Sequence, residues 1–196
     1  RELLLAREVT HKNVVRIHDL GEIDGIKYIT MSYIQGADLA TVLQRDGKLP
    51  VPAALRLTRQ LVSGLLAAHE AGVVHRDLKP ANIMIEGDHA IVMDFGIARS
   101  SGGPQTSPGG SPLPGGLRHA KNAPQTMVGS IVGTIAYMAP EQARGEAVDQ
   151  RADLYSLGLI ISDMLLGLRR RGSEESAIDE LQRRIAQRPP ALRTVD

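Results

Sequence analysis

Cysteine is absent from the 196 residues, which excludes a disulfide framework and a thiolate metal site. A reducing, cytoplasmic setting is the expectation, with any membrane anchor lying outside this chain. No charge of one sign dominates: 23 Lys and Arg stand against 22 Asp and Glu, a formal net charge of +1. Such a chain has no broad field with which to hold nucleic acid or an anionic membrane surface, so neither is an expected partner. Long hydrophobic runs are missing as well. The most apolar stretch, Leu154 to Leu168, is shorter than the roughly 20 residues a spanning helix needs, and it carries Asp163 in its interior. It reads as a buried helix of a globular domain. No signal-peptide pattern opens the chain, which begins Arg1-Glu2-Leu3 without an initiator methionine, and further residues are expected upstream. What is present, 42% hydrophobic residues, suffices for one sizeable core or two small lobes.

Patterning divides the chain into two structured blocks. Leu3, Leu4, Leu5 and Ala6 between charged flanks predict the end of a helix, closed near His11-Lys12-Asn13. Two β-branched runs, Val14 to His18 and Tyr28 to Met31, flank Gly21-Glu22-Ile23-Asp24-Gly25 and predict an antiparallel pair. A short helix is expected from Asp38 to Gln44. From Pro52 to His69, Leu57, Leu61, Leu65 and Ala68 recur at helical spacing, with proline near the start and Gly72 past the end. Ile83 to Ile85 and Ala90 to Val92 read as a hairpin turning at Glu86-Gly87-Asp88-His89. Between Ser100 and about Gln125 more than half the residues are Gly, Pro or Ser. That composition buries too little apolar surface to offset its ordering entropy, so a disordered surface loop is expected. Ala152 to Leu168 and Glu174 to Gln187 then read as an apolar and an amphipathic helix, the second ended by Pro189-Pro190.

The chemistry concentrates in His75-Arg76-Asp77-Leu78-Lys79-Pro80-Ala81-Asn82, in Asp94-Phe95-Gly96 after the hairpin, and in Ala139-Pro140-Glu141. Taken singly, each tripeptide is an ordinary turn. In this order and local context, they resemble the catalytic, magnesium and substrate-side signatures of protein kinases. Lys79 resembles the serine/threonine class, and Met31-Ser32-Tyr33-Ile34-Gln35-Gly36 and Tyr155-Ser156-Leu157-Gly158 resemble bacterial members. The resemblance implies an α+β fold of the protein-kinase type: an N-lobe remnant over 1–31 (the end of a helix and two strands), a hinge over 32–36 and a mostly helical C-lobe over 37–196 lacking its last helices.

It also implies an activity, transfer of the ATP γ-phosphoryl group to Ser or Thr hydroxyls of proteins with Mg²⁺. Such transfer needs positioning and charge neutralisation more than covalent chemistry. On this reading Asp77 orients the substrate hydroxyl and takes its proton late, while Lys79 neutralises the transferring phosphoryl group. Asn82 and Asp94 supply the oxygen ligands that Mg²⁺ favours, and Thr134 contacts Asp77 and Lys79. Glu2 falls where the family's helix glutamate pairs with the nucleotide-anchoring lysine. Met31 borders the adenine pocket, and Ser32, Tyr33 and Ile34 present hinge backbone to the adenine edge. Met84 is either the pocket floor or core filler. Asp38 either bonds the ribose or complements the start of a helix, with the second favoured.

Arg76 resembles the arginine of kinases whose activation loop is ordered by phosphorylation, with Thr126 and Ser130 as candidate acceptors. Asp153, at the start of an apolar helix, is expected to bond backbone N–H groups of the 75–82 loop. His75 and Phe95 are expected to pack in a column with Ile17 and Ala6, next to Gly96. Glu141 corresponds to a glutamate whose arginine partner lies further along the family's domain than this chain extends. Neither a Gly-x-Gly-x-x-Gly loop nor a Val-Ala-x-Lys strand precedes Glu2, and without them little activity is expected of these residues alone. Two other functions fit some of the same residues: a noncatalytic kinase-like binding module, and a small-molecule phosphotransferase.

Overall fold

The computed structural model describes residues 2–95, 135–167 and 176–186. The elements run α1 (Glu2–Glu8), β1 (Ile17–Ile23), β2 (Ile26–Met31), β3 (Ala37–Asp38), α2 (Leu39–Asp46), α3 (Val51–Glu70), a 3₁₀ turn (Pro80–Asn82), β4 (Ile83–Glu86), β5 (His89–Val92), α4 (Pro140–Ala143), α5 (Arg151–Leu166) and α6 (Ser176–Ala186). Helices and strands alternate irregularly, the α+β arrangement the sequence predicts. Gly96 and the Gly/Pro/Ser-rich stretch of about 100–125 lie outside the described residues.

β1 and β2 form a two-stranded antiparallel sheet in which Gly21 faces Tyr28 and Ile23 faces Ile26. This corrects the sequence reading, which put the turn at 21–25 and began the first strand at Val14. Asp24 and Gly25 alone make the turn, at φ 52° and 79°. Two central residues with positive φ match the right-handed twist of the flanking strands, so β1 continues to Ile23. Val14 belongs elsewhere: it forms an isolated parallel bridge with Val92. There Val15 N–H donates to the Val92 carbonyl and Val92 N–H to the Asn13 carbonyl, both at 2.9 Å. The second sheet is antiparallel, in the order β3, β4, β5.

α3 is the central helix because its apolar residues fall on one face. Ala54, Leu57, Leu61, Leu65 and Ala68 are buried and join α5's Leu157, Ile160 and Met164 in one core cluster. Polar side chains on the same helix fasten it to the strands. The Gln60 side-chain oxygen accepts from Asn13 Nδ2 (3.1 Å) and from the Ala90 N–H (2.8 Å), while Gln60 Nε2 donates to the Asp88 carbonyl (2.8 Å). Asn13, buried at 1% exposure, also donates to the Ala90 carbonyl at 2.8 Å. His11 Nε2 lies 3.1 Å from Ser63 Oγ. These bonds bring the segment after α1, the middle of α3 and β5 to one point.

Gly64 makes that approach possible. A Cβ there would stand 2.8 Å from the Asn13 carbonyl oxygen, and that carbonyl is fixed by its bond to Val92. At Gly158 of α5 a Cβ would meet nothing within 4 Å among the described residues. Alanine favours a helix over glycine by about 1 kcal/mol, so the two sites should respond in opposite directions. Gly158→Ala should raise the urea midpoint, whereas Gly64→Ala should cost about 1–3 kcal/mol through overpacking. A Gly64→Ala midpoint at or above that of the parent chain would contradict the close approach.

Candidate active site

The 75–82 loop leaves α3 at Gly72 and enters β4 through the 3₁₀ turn, and its shape is set largely from α5. Asp153, 1% exposed, accepts from the backbone N–H groups of His75 and Arg76, each at 2.8 Å, one on each oxygen. His69, in the last turn of α3, stands 2.7 Å from the same carboxylate. A carboxylate this deep needs several donors to offset its desolvation, and three meet it here. Arg76 is held at φ 65°, a left-handed conformation that costs a non-glycine residue about 1–2 kcal/mol. The two bonds to Asp153 help maintain it.

His75 is a packed residue. Its ring lies 4.8 Å from that of Phe95, tilted by 55°, and Phe95, Ile17 and Ala6 belong to the same buried core. Nε2 faces the Met93 carbonyl at 2.7 Å, while Nδ1 accepts from the Asp77 N–H at 3.3 Å. Nε2 therefore carries the proton and the ring is neutral. Burial pushes its pKa below the ordinary 6.5, against the opposing pull of Asp153 and the smaller effects of the Met93 carbonyl, Asp77 and Asp94.

The polar residues of the loop converge on Asp77. Lys79 Nζ lies 2.8 Å from Asp77 Oδ2. Asn82 Nδ2 donates to the Asp77 carbonyl at 2.8 Å and reaches Oδ2 at 3.3 Å. Since both neighbours of that amide nitrogen are acceptors, the Asn82 amide is oriented with Oδ1 turned away from Asp77. Asp77 and Lys79 side chains keep 27% and 17% of their surface exposed, enough for a ligand to reach. Asp94 is exposed and sits at φ 57°. Asn82 and Asp94 are joined through the strands between them, and Met93 N–H donates to the Asn82 carbonyl at 2.9 Å. Among the described residues no cluster of three or more His, Cys, Asp or Glu could enclose a metal.

Earlier in the chain, β2 ends at Met31 and the chain passes to β3. Ser32 N–H is bound to the Arg16 carbonyl at 2.9 Å, which leaves the Ser32 carbonyl as its available backbone group. Tyr33 is 91% exposed and Ile34 partly buried. Glu86 accepts from the Gln35 N–H at 3.0 Å, tying this linker to the end of β4. Gly36 packs so closely on the Ile85 carbonyl that no side chain fits there. β3 pairs Asp38 with Met84, so these two candidates stand opposite each other on neighbouring strands. Met84 is half-buried. Asp38 caps α2, accepting from Thr41 N–H at 2.9 Å and from Thr41 Oγ1 at 2.7 Å.

Several candidates stay apart from this convergence. Glu2 begins α1, and its side chain is not among those described. Thr126, Ser130 and Thr134 also lie outside the described residues. Glu141 occupies the first turn of α4 and adds a lesser attraction to Arg151, whose guanidinium is held charged chiefly by Asp149. Other residues were not singled out by the sequence. Tyr137 OH donates to Asp163 at 2.6 Å in the interior. Buried Arg184 of α6 donates to the carbonyls of Ala136 and Ile135 at 2.8 and 3.1 Å. Gln142 Nε2 donates to the Arg76 carbonyl at 2.7 Å. His69, Gln142 and Arg184 look like ordinary solvated helix residues by type and position.

The state of His75 carries a pH dependence. Its folded pKa lies below the unfolded value near 6.5, so the unfolded chain binds the proton first. Stability should be full above about pH 6.5 and fall as the pH is lowered through that value, by at most about 1.4 kcal/mol per pH unit for one proton. In His75→Phe, which keeps a ring against Phe95, the slope of urea-derived stability between about pH 7 and 5 should be shallower. An unchanged slope would refute the buried neutral imidazole.

Comparison with known proteins identifies the family. The family model of the protein kinase domain matches residues 1–190. Serine/threonine-protein kinase PknB of Mycobacterium leprae is 36% identical over 172 residues, 85% of this chain and 25% of that protein. Serine/threonine-protein kinase pkn3 of Myxococcus xanthus is 36% identical over 196 residues, 97% of this chain and 33% of that protein. Serine/threonine-protein kinase PknE of Mycobacterium tuberculosis is 39% identical over 168 residues, 85% of this chain and 26% of that protein. The chain thus spans a quarter to a third of the length of these relatives. With the family match extending over nearly all of its length and bacterial serine/threonine kinases as its relatives, the chain belongs to the protein kinase domain family.

Proposed function

We propose that the protein carrying this chain transfers the γ-phosphoryl group of ATP to serine or threonine hydroxyls of other proteins. The observation that carries this reading is the convergence on Asp77, where Lys79 at 2.8 Å and Asn82 at 3.3 Å both engage Oδ2. Oδ1 is the oxygen that neither of them occupies. It would accept the hydrogen bond of a substrate hydroxyl, aim its oxygen and take its proton late in the transfer. Lys79 would hold positive charge beside the oxygens of the group in transit. Residues 1–31 are the proposed N-lobe part, 32–36 the hinge and 37–196 the C-lobe part.

Protein kinases as a family use ATP and Mg²⁺. The donor set here suits that ion: an amide oxygen aimed away from Asp77 and an exposed carboxylate, both hard ligands, on a site open enough to leave room for water. Asn82 Oδ1 and Asp94 would hold it, and when bound it neutralises charge on the nucleotide phosphates. The adenine edge would meet the Ser32 carbonyl and the Ile34 backbone, with Met31 bordering the pocket and Met84 as its floor. Asp38 is committed to Thr41 and would reach a ribose hydroxyl only by sharing those oxygens. Glu2 would pair with a nucleotide-anchoring lysine, and Thr134 would bond Asp77 and Lys79. Arg76 would receive a phosphate placed on Thr126 or Ser130. No described helix is long and apolar enough to cross a membrane, and a cytoplasmic location is proposed.

Radiolabel transfer from γ-labelled ATP to peptides tests the reading. Serine and threonine peptides should be labelled and the tyrosine counterpart should not. Asp77→Asn should lower kcat by about 10²- to 10⁴-fold, the range lost with a general base, while KM for ATP changes little. Wild-type turnover in Asp77→Asn would overturn the role assigned to Asp77. Asp94→Asn should shift half-saturation with Mg²⁺ to higher concentration, and an unshifted Mg²⁺ titration would remove Asp94 from the metal site.

A further inference from the structure

The peptide unit between Arg76 and Asp77 is held at both ends. Its N–H, on Asp77, donates to His75 Nδ1 at 3.3 Å. Its carbonyl, on Arg76, accepts from Gln142 Nε2 at 2.7 Å. The His75 bond comes from the same loop, whereas Gln142 comes from α4, 66 residues further along the chain. The other end of the Gln142 amide is also committed: Oε1 accepts from the Ala139 N–H at 3.1 Å, at the start of α4. One side chain therefore spans from the Ala139-Pro140-Glu141 segment to the peptide that precedes Asp77. Around it, Asp77, Tyr137, Met138 and Ser156 line a cavity of about 10 Å³, room for no more than about one water.

We infer that Gln142 is a positioning residue, which sets the direction of the Asp77 side chain by fixing the plane of the Arg76–Asp77 peptide from the Ala139-Pro140-Glu141 side. Arg76 has a left-handed backbone, an arrangement with a lower-energy alternative available to any non-glycine residue. Rotating that peptide would turn Asp77 and move its carboxylate relative to Lys79 and Asn82. Gln142 opposes this rotation through a bond to neutral backbone, so it carries no charge into the site and does not compete for cations there. The consequence is a mechanical link: a shift of α4 is transmitted to the orientation of Asp77 without passing through Asp94 or the linker at 32–36.

The inference rests on the proposed kinase reading for its activity readout, and two substitutions separate it from a merely structural role. Gln142→Glu keeps the acceptor for the Ala139 N–H and places a carboxylate in the first turn of a helix, where it is favoured. It has no donor for the Arg76 carbonyl. Gln142→Met loses both bonds at nearly the same volume. In the protein that carries this chain, Gln142→Glu should lower kcat about 10- to 100-fold, the scale of an ångström-sized misplacement, with KM for ATP unchanged and Tm lowered by less than in the second variant, since one of the two bonds is kept. Gln142→Met should lose as much kcat and also lower Tm. Parental kcat in Gln142→Glu, or a kcat loss that only follows a fall in Tm, would overturn the inference. If the parent protein itself shows no transfer, the kinase reading fails, and the Asp77 amide resonance in the folded 196-residue chain decides the role of Gln142. A shift of that resonance in Gln142→Glu supports the positioning role, and an unmoved resonance refutes it.

Discussion

Asp153 is the residue on which the geometry of the loop depends. Removed from water almost completely, it faces a desolvation cost of several kcal/mol unless donors surround it, and it recruits them from two segments distant in sequence. His75 and Arg76 backbone N–H groups and the His69 ring supply them. Because α5 presents Asp153 from among its buried apolar residues, the loop is fixed to the core of the fold and not to a neighbouring surface turn. The left-handed backbone of Arg76 is held by that attachment.

A second layer of order comes from backbone pairing between segments that do not look like strands. Asn13 and Val15 bond Val92, and Gln60 links Asn13, Ala90 and Asp88. The end of β5 leads directly to Asp94, so this pairing determines where the exposed carboxylate begins its turn. Gly64 permits it by omitting the one methyl group that would separate α3 from Asn13.

Helices with a one-sided apolar pattern were readable from residues alone, as were the hairpin of β4 and β5 and the loop that joins it to α3. The buried face of α3 is the one its Leu57, Leu61 and Leu65 spacing predicts. Val14 and Val15 misled because β-branched residues favour extended backbone whether they sit in a ladder or in a single bridge. The turn at Asp24-Gly25 carried the stronger signal for where β1 ends. What remained hidden were polar residues acting across the fold: His69, Gln142 and Arg184 have partners 84, 66 and 48 or 49 positions away. No local pattern encodes such a partner, since periodicity reports which face is buried and not which hydrogen bond is made there.

The distance in sequence spanned by Asp153 has a consequence for the order in which the molecule is assembled. Its three bonds join residues 77, 78 and 84 positions apart. Closing loops of that size carries an entropy penalty that must be met before the contact contributes anything. α3 and the β4–β5 hairpin, built from local contacts, can form ahead of α5. The loop between them acquires its shape only when α5 docks and brings the carboxylate to it. The final shape of the 75–82 loop is therefore completed only once α5 is in place. On a ribosome that must wait until residues past Asp153 have emerged, so a nascent chain holding the complete 75–82 segment does not yet hold that shape.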